Sequence, residues 1–194
     1  FRRVEELLDS LGKIGPESAA LILRDRRGAG GKDIGMCNEL SINQLLAMHS
    51  VIFKPSSREI WVSTYPWQCG EFIRFRLDDI LDSPVPPYHR DSSKDIPEDI
   101  FLHSESFRNL LKFKRSSAGI RSAISSGTEI PEDSISAYIG LNPLYYNAYN
   151  LAGDYFLAKG DEGNACELWK KSLTFEMKLQ ERNLIEKKIE RYKR

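Results

Sequence analysis

The sequence predicts an α+β protein: an antiparallel β-meander preceded by two helices and followed by an all-helical tail. Three observations carry this. Between Ala47 and Leu77, alternating and β-branched runs are cut by short turn signals. Ahead of them, apolar residues recur at three- and four-residue steps. Behind a proline-rich stretch at 82–100, the apolar periods are helical again. On this reading 1–81 belongs to one domain, 82–100 is a linker or surface loop, and 101–194 is the tail.

Phe1, Val4, Leu7, Leu8 and Leu11 share one stripe of a helix that ends near Gly12. Pro16 suits the first turn of a second helix, whose Ala19, Ala20, Ile22 and Leu23 give it an apolar side as far as Arg24. The run Gly28-Ala29-Gly30-Gly31 follows a helix and lacks a G-K-[ST] ending, so it reads as a flexible loop and not a phosphate cradle. Arg24, Arg26, Arg27 and Lys32 around it read as solvated. Asp33 to Leu46 is loop, then short helix or strand entry.

In the meander, Met48, Ser50 and Ile52 alternate with His49, Val51 and Phe53. Pro55-Ser56-Ser57 turns the chain, and Ile60, Trp61 and Val62 form the second strand. The loop Tyr65-Pro66-Trp67-Gln68-Cys69-Gly70 precedes a third strand. There Ile73, Phe75 and Leu77 point one way, and Phe72, Arg74 and Arg76 the other. One sheet face is therefore apolar and the other mixed.

Pro84, Pro86, Pro87 and Pro97, with the polar run Arg90 to Asp95, mark 82–100 as a boundary without helical or strand period. His89 and His103 lack partner spacing for a metal site. Beyond it, Ser104–Phe113 and Ala118–Ile124 read as short helices, and Pro131 starts another through Ile139. From Leu173 to Tyr192 a charged helix with Leu179, Leu184, Ile185 and Ile189 as its narrow apolar stripe reads as a cap.

Composition narrows the function. Lys plus Arg and Asp plus Glu are 28 each, so long-range attraction to nucleic acid or an anionic membrane is not expected. No apolar run approaches the ~18 residues of a membrane span. Cys37, Cys69 and Cys166 are sparse and odd in number, which argues against a disulfide scaffold or structural zinc.

The stretch RVEELLDSLGKIGPESAALILRDR, then HSVIFKPSSREIWVS and a closing GEFIRFRL, resembles the C-terminal half of the catalytic domain in the acyl-coenzyme A:6-aminopenicillanic acid acyltransferase family. That family belongs to the N-terminal-nucleophile hydrolases. The resemblance spans Arg3 to Leu77 and implies part of a four-layer αββα sandwich, in which autocatalytic cleavage frees an N-terminal cysteine that is both nucleophile and, through its amine, base. Phe1 has no thiol or hydroxyl for that work. The nucleophile is expected on sequence N-terminal to Phe1, which the missing initiator methionine favours; otherwise the fold has lost its chemistry. The implied activity is hydrolysis of a linear carbon–nitrogen amide, or acyl transfer. Its partners would be a small-molecule amide or acyl substrate and the N-terminal part of the same protein, with no metal or organic cofactor.

Within this resemblance Asn43 falls where family members carry a small polar residue near the catalytic cleft. Its amide would donate to an oxyanion, or it is a helix-cap or turn asparagine. His49 is a strand histidine that acts near the cleft or a hydrogen-bonded structural one. Tyr65 and Trp67 are candidates for covering an acyl group. Cys69, internal and without a nearby histidine in sequence, reads as a bystander thiol.

In the tail, Tyr149, Ala152, Gly153, Phe156, Gly160-Asp161, Ala165, Trp169 and Ser172 resemble one tetratricopeptide repeat at about 142–175. The alternative function is therefore a non-catalytic interaction protein that binds a partner through this tail.

Overall fold

The computed structural model describes residues 2–82 and 91–192, so Phe1, Pro84, Pro86, Pro87, His89 and Arg90 lie outside the described residues. Among the described residues the protein is α+β, with eight α-helices and one three-stranded antiparallel sheet. It divides into two compact units. One comprises Phe1–Gly31 and Ser41–Ser104; the other comprises Lys32–Leu40 and Glu105–Arg194.

The sheet-bearing unit opens with α1 (Arg2–Leu11), closed by Gly12 at φ +64°, and α2 (Pro16–Leu23). Gly15 N–H donates to Ser18 Oγ at 2.8 Å, which takes up a free donor at the start of α2, and Pro16 needs none. The strands are β1 (Val51–Lys54), β2 (Glu59–Ser63) and β3 (Phe72–Arg76), in the order β1-β2-β3. Val51 faces Val62, Ile52 faces Trp61, and Trp61 faces Arg74. A short helix α3 (Leu77–Asp82) follows.

The first strand begins later than its alternation suggests. Ser63 Oγ accepts the Ser50 N–H at 2.7 Å, so a side chain replaces the backbone carbonyl that would continue the ladder. Met48 and His49 are left exposed ahead of β1, and His49 is not a strand residue.

The mixed face is the packed one. Ile52, Trp61 and Phe72 meet Ala20 of α2 and Ile96, with Ala19 and Leu23 alongside. Glu59 and Arg74 are buried on this face as an ion pair, Arg74 Nε reaching Glu59 Oε1 at 2.7 Å. The Ser57 hydroxyl, and then Arg74, hold the Glu59 carboxyl below its ordinary range. The opposite face carries Val51, Phe53, Ile60, Val62, Ile73 and Phe75; none of them is fully buried, and Phe53 is 69% exposed.

Of the stretch 82–100, read as a linker or surface loop, the described residues from 91 onward make contact with the sheet. Ile96 exchanges both backbone hydrogen bonds with Phe72, at 2.9 and 3.0 Å, and the Trp61 indole N–H donates to the Lys94 carbonyl at 2.9 Å. This stretch therefore extends the sheet-bearing unit through Ser104.

The helical unit contains α4 (Glu105–Ser126), α5 (Glu132–Gly140), α6 (Tyr146–Ala158), α7 (Glu162–Ser172) and α8 (Leu179–Tyr192). Two short helices expected between Ser104 and Ile124 are one. The intervening Ser116-Ser117 pair is no break: Ser117 is buried and its hydroxyl donates to the Tyr138 hydroxyl at 3.2 Å. α6 and α7 form a tight hairpin whose turn has Gly160 at φ +82° and Asp161 capping α7 through Asn164 N–H. The helix expected from Leu173 is interrupted until Leu179. Ile185 and Ile189 of α8 are buried, whereas Leu179 and Leu184 are exposed.

Trp169, fully buried, lies against Gly153, where an added Cβ would stand 2.6 Å from the indole ring. Its N–H donates to Asp154 Oδ1, which also accepts from Lys188 at 2.7 Å, so one carboxylate ties α6, α7 and α8.

Gly153→Ala is expected to lose about 1–2 kcal/mol in equilibrium denaturation, because overpacking outweighs the helix propensity gained. Gly119→Ala, on the exposed side of α4 with open space around it, is expected to gain about 0.5–1 kcal/mol in the same measurement.

Candidate active site

The loop from Tyr65 to Gly70 between β2 and β3 is built from unusual backbone. Trp67 and Gln68 adopt φ of 43° and 64°, and Cys69 N–H closes a turn onto the Pro66 carbonyl at 2.7 Å. Gly70 is required sterically. A Cβ there would lie 2.4 Å from Thr64 Oγ1 and from the Tyr65 carbonyl oxygen.

Two buried side chains hold the loop. Asn43 is 1% exposed; its Nδ2 donates to the Trp67 carbonyl at 3.2 Å and approaches Cys69 Sγ at 3.4 Å, and its Oδ1 accepts from Leu45 N–H at 2.9 Å. The amide hydrogens are thus directed into the fold, in the manner of a turn asparagine that also grips the loop. Arg24, 8% exposed, donates to the carbonyls of Gly70 and Pro97, both at 2.7 Å, and stacks over Phe72. Burial lowers its pKa, while Asp99 acts the other way.

Cys69 is fully buried at the centre. Its carbonyl accepts the Asp99 N–H at 2.7 Å. Arg26, paired with Asp99 at 2.6 Å and seated over Phe101, comes within 3.9 Å of the sulfur. Burial pushes the thiol pKa up, and Arg26 and Asn43 offset this only in part. A buried thiol that resists ionisation is a poor nucleophile.

The sequence candidates therefore separate into groups. Tyr65 and Trp67 are side by side, ring centroids 6.1 Å apart, with Tyr65 74% exposed and Trp67 half-buried. Asn43 lies beneath them, bonded to the Trp67 backbone. His49 is exposed and has no hydrogen-bond partner among the described residues. Arg24 and Arg26, which read as solvated beside the glycine run, are instead the cations of the loop's foundation. No spacing rule would have found them, since their partners are backbone carbonyls and Asp99, 46 to 73 positions away. Among the described residues no group of three or more His, Cys, Asp or Glu side chains is placed to hold a metal ion, and no helix is long and apolar enough to cross a membrane.

No protein-family model matches this chain, and no curated protein or solved structure is significantly similar to it.

Asn43→Ala removes the side-chain acceptor of the Leu45 N–H and the donor to the Trp67 carbonyl and is expected to cost about 1–3 kcal/mol in chemical denaturation. Cys69 is expected to resist alkylation in the native chain and to react once the chain is unfolded. A thiol that ionises less readily folded than unfolded stabilises the fold fully below its unfolded pKa. That contribution is lost as pH rises through the folded value, so the melting temperature is expected to fall above about pH 9 and Cys69→Ala to flatten the decline.

Proposed function

We propose that this chain is the C-terminal portion of a linear-amide hydrolase or acyltransferase of the N-terminal-nucleophile class, completed by the N-terminal part of the same protein. One observation carries the reading. The sheet packs α2 against its mixed face, while on the opposite face the apolar residues Val51, Phe53, Ile60, Val62, Ile73 and Phe75 are short of full burial among the described residues, with Phe53 exposed. This supports the reading, because in an αββα sandwich each sheet has helices on one side and the second sheet on the other.

The nucleophilic cysteine, its α-amine base and the oxyanion donors then come from the N-terminal part. The thiolate attacks the amide carbonyl, an acyl-enzyme forms, and water or an amine resolves it. This chain supplies a wall of the sandwich and the aromatic pair Tyr65 and Trp67 as cover for the acyl group. Asn43 acts by positioning the loop that carries them.

Intact-mass measurement on protein expressed from the complete reading frame is expected to find two chains, the downstream one containing this sequence and starting at a cysteine. A Cys→Ala change at that residue is expected to leave a single uncleaved chain. A frame with no upstream cysteine, or one that stays uncut and unreactive toward thiol reagents, overturns the reading. Phe53→Ser is expected to change the stability of this chain alone by less than about 0.5 kcal/mol. In the complete protein, where the face is covered, it is expected to cost about 2–4 kcal/mol.

A further inference from the structure

The segment Lys32–Leu40 belongs to the helical unit, although the residues before it, up to Gly31, and after it, from Ser41, belong to the sheet-bearing unit. It has no helix or strand of its own. Its main chain is instead gripped by side chains and turns of the helical unit. Met36 N–H donates to Asn142 Oδ1 at 3.0 Å, and Asn142 Nδ2 donates to the Met36 carbonyl at 2.9 Å. A primary amide that pairs with both polar groups of one residue reads backbone and ignores the side chain. Asn142 is 3% exposed, so the pair of bonds is shielded from water.

The neighbouring positions are selective. Gly35, at φ +77°, lies against the chain at Leu144 and Tyr145, where a Cβ would fall 2.6 Å from Tyr145 N. Ile34 is buried at 2% exposure, and Asn38 is fully buried with its amide donating to the Glu176 carbonyl at 2.9 Å. Cys37 packs on the core of the unit, and Glu39 accepts the Lys178 N–H at 3.1 Å. One wall of the groove is therefore the junction between α5 and α6, and the other is the turn between α7 and α8. The segment is turned and not extended, with Gly35 at φ +77° and Cys37 at φ +66°, and Asn38 also donates to the Ile34 carbonyl at 3.0 Å, so it offers its backbone and side chains in a folded-back form.

We propose that the helical unit is a receptor for a turn-forming peptide of the pattern aliphatic, Gly, any, small, Asn, and that Lys32–Leu40 is its resident ligand. This assignment is independent of the amide-hydrolase reading. The groove is closed to an outside peptide while the resident segment stays in place, and opens to one when that segment is withdrawn.

The test uses the full chain with Asp33–Asn38 replaced by Gly and Ser, and a fluorescent synthetic peptide of residues 32–40 as probe, followed by anisotropy. The replaced chain is expected to bind the probe at least tenfold more tightly than the unaltered chain. Asn142→Ala in the replaced chain is expected to weaken binding about tenfold, and a probe carrying Gly35→Val is expected not to bind. A folded replaced chain that takes up no probe, or uptake indifferent to Asn142→Ala and Gly35→Val, overturns the proposal. Should the replaced chain not fold, hydrogen exchange on the otherwise unaltered chain carrying Asn142→Ala decides. Protection lost only around Met36, with α6 and α7 still protected, supports a receptor and its occupant. Loss spread equally through α6 and α7 makes the segment an integral part of the core and overturns the proposal.

Discussion

The sheet-bearing unit is organised by one buried guanidinium. Arg24 caps the end of α2 and donates to the carbonyls of Gly70 and Pro97, so a helix, the loop before β3 and the stretch after residue 91 converge on a single cation. Arginine suits this place because its charge is retained under desolvation and its planar fork serves several acceptors. The aromatic face of Phe72 beneath it adds a further favourable contact. With the loop pinned from one side by Arg24 and from the other by Asn43, Tyr65 and Trp67 are presented outward on a rigid base.

Much of the fold was legible because local periodicity decides it. Pro16 at the start of α2, the turn at Pro55–Ser57, and Asp161 capping α7 each act over a few residues. The order of the three strands followed from the same kind of signal. What was not legible depends on partners distant in sequence. Alternation in Phe72–Arg76 marks two faces but does not say which is covered, and Arg74 looks solvated until Glu59 is placed beside it. The apparently structureless residues 91–100 pack because Phe72 offers a free strand edge to Ile96. At the site, Asn43 and the Tyr65–Gly70 loop were visible as polar and aromatic candidates. That Asn43 turns its amide inward toward Trp67 and Cys69 was not, since residue type alone does not fix a side chain's direction.

The two faces of the sheet differ in a way that bears on function. The packed one accommodates an ion pair and an indole bonded to a carbonyl, interactions that need defined partners. The other, partly exposed among the described residues, is aliphatic and aromatic throughout, suited to contact with another apolar layer by burial alone. The buried Cys69 belongs to the loop's foundation.

The clasp between Asn142 and Met36 also bears on how the chain reaches its final form. The two residues are 106 positions apart, and the segment carrying Met36 leaves the ribosome long before α6 exists. The helical array is therefore not a purely local fold, although its hairpins are. Its last contacts wait on closure of a long loop, whose entropic cost grows only slowly with length but which must be met before the contacts form. During synthesis Met36 stays without its Asn142 partner until the helical unit has emerged. In that interval the early segment is open to capture by whatever presents a matching groove first.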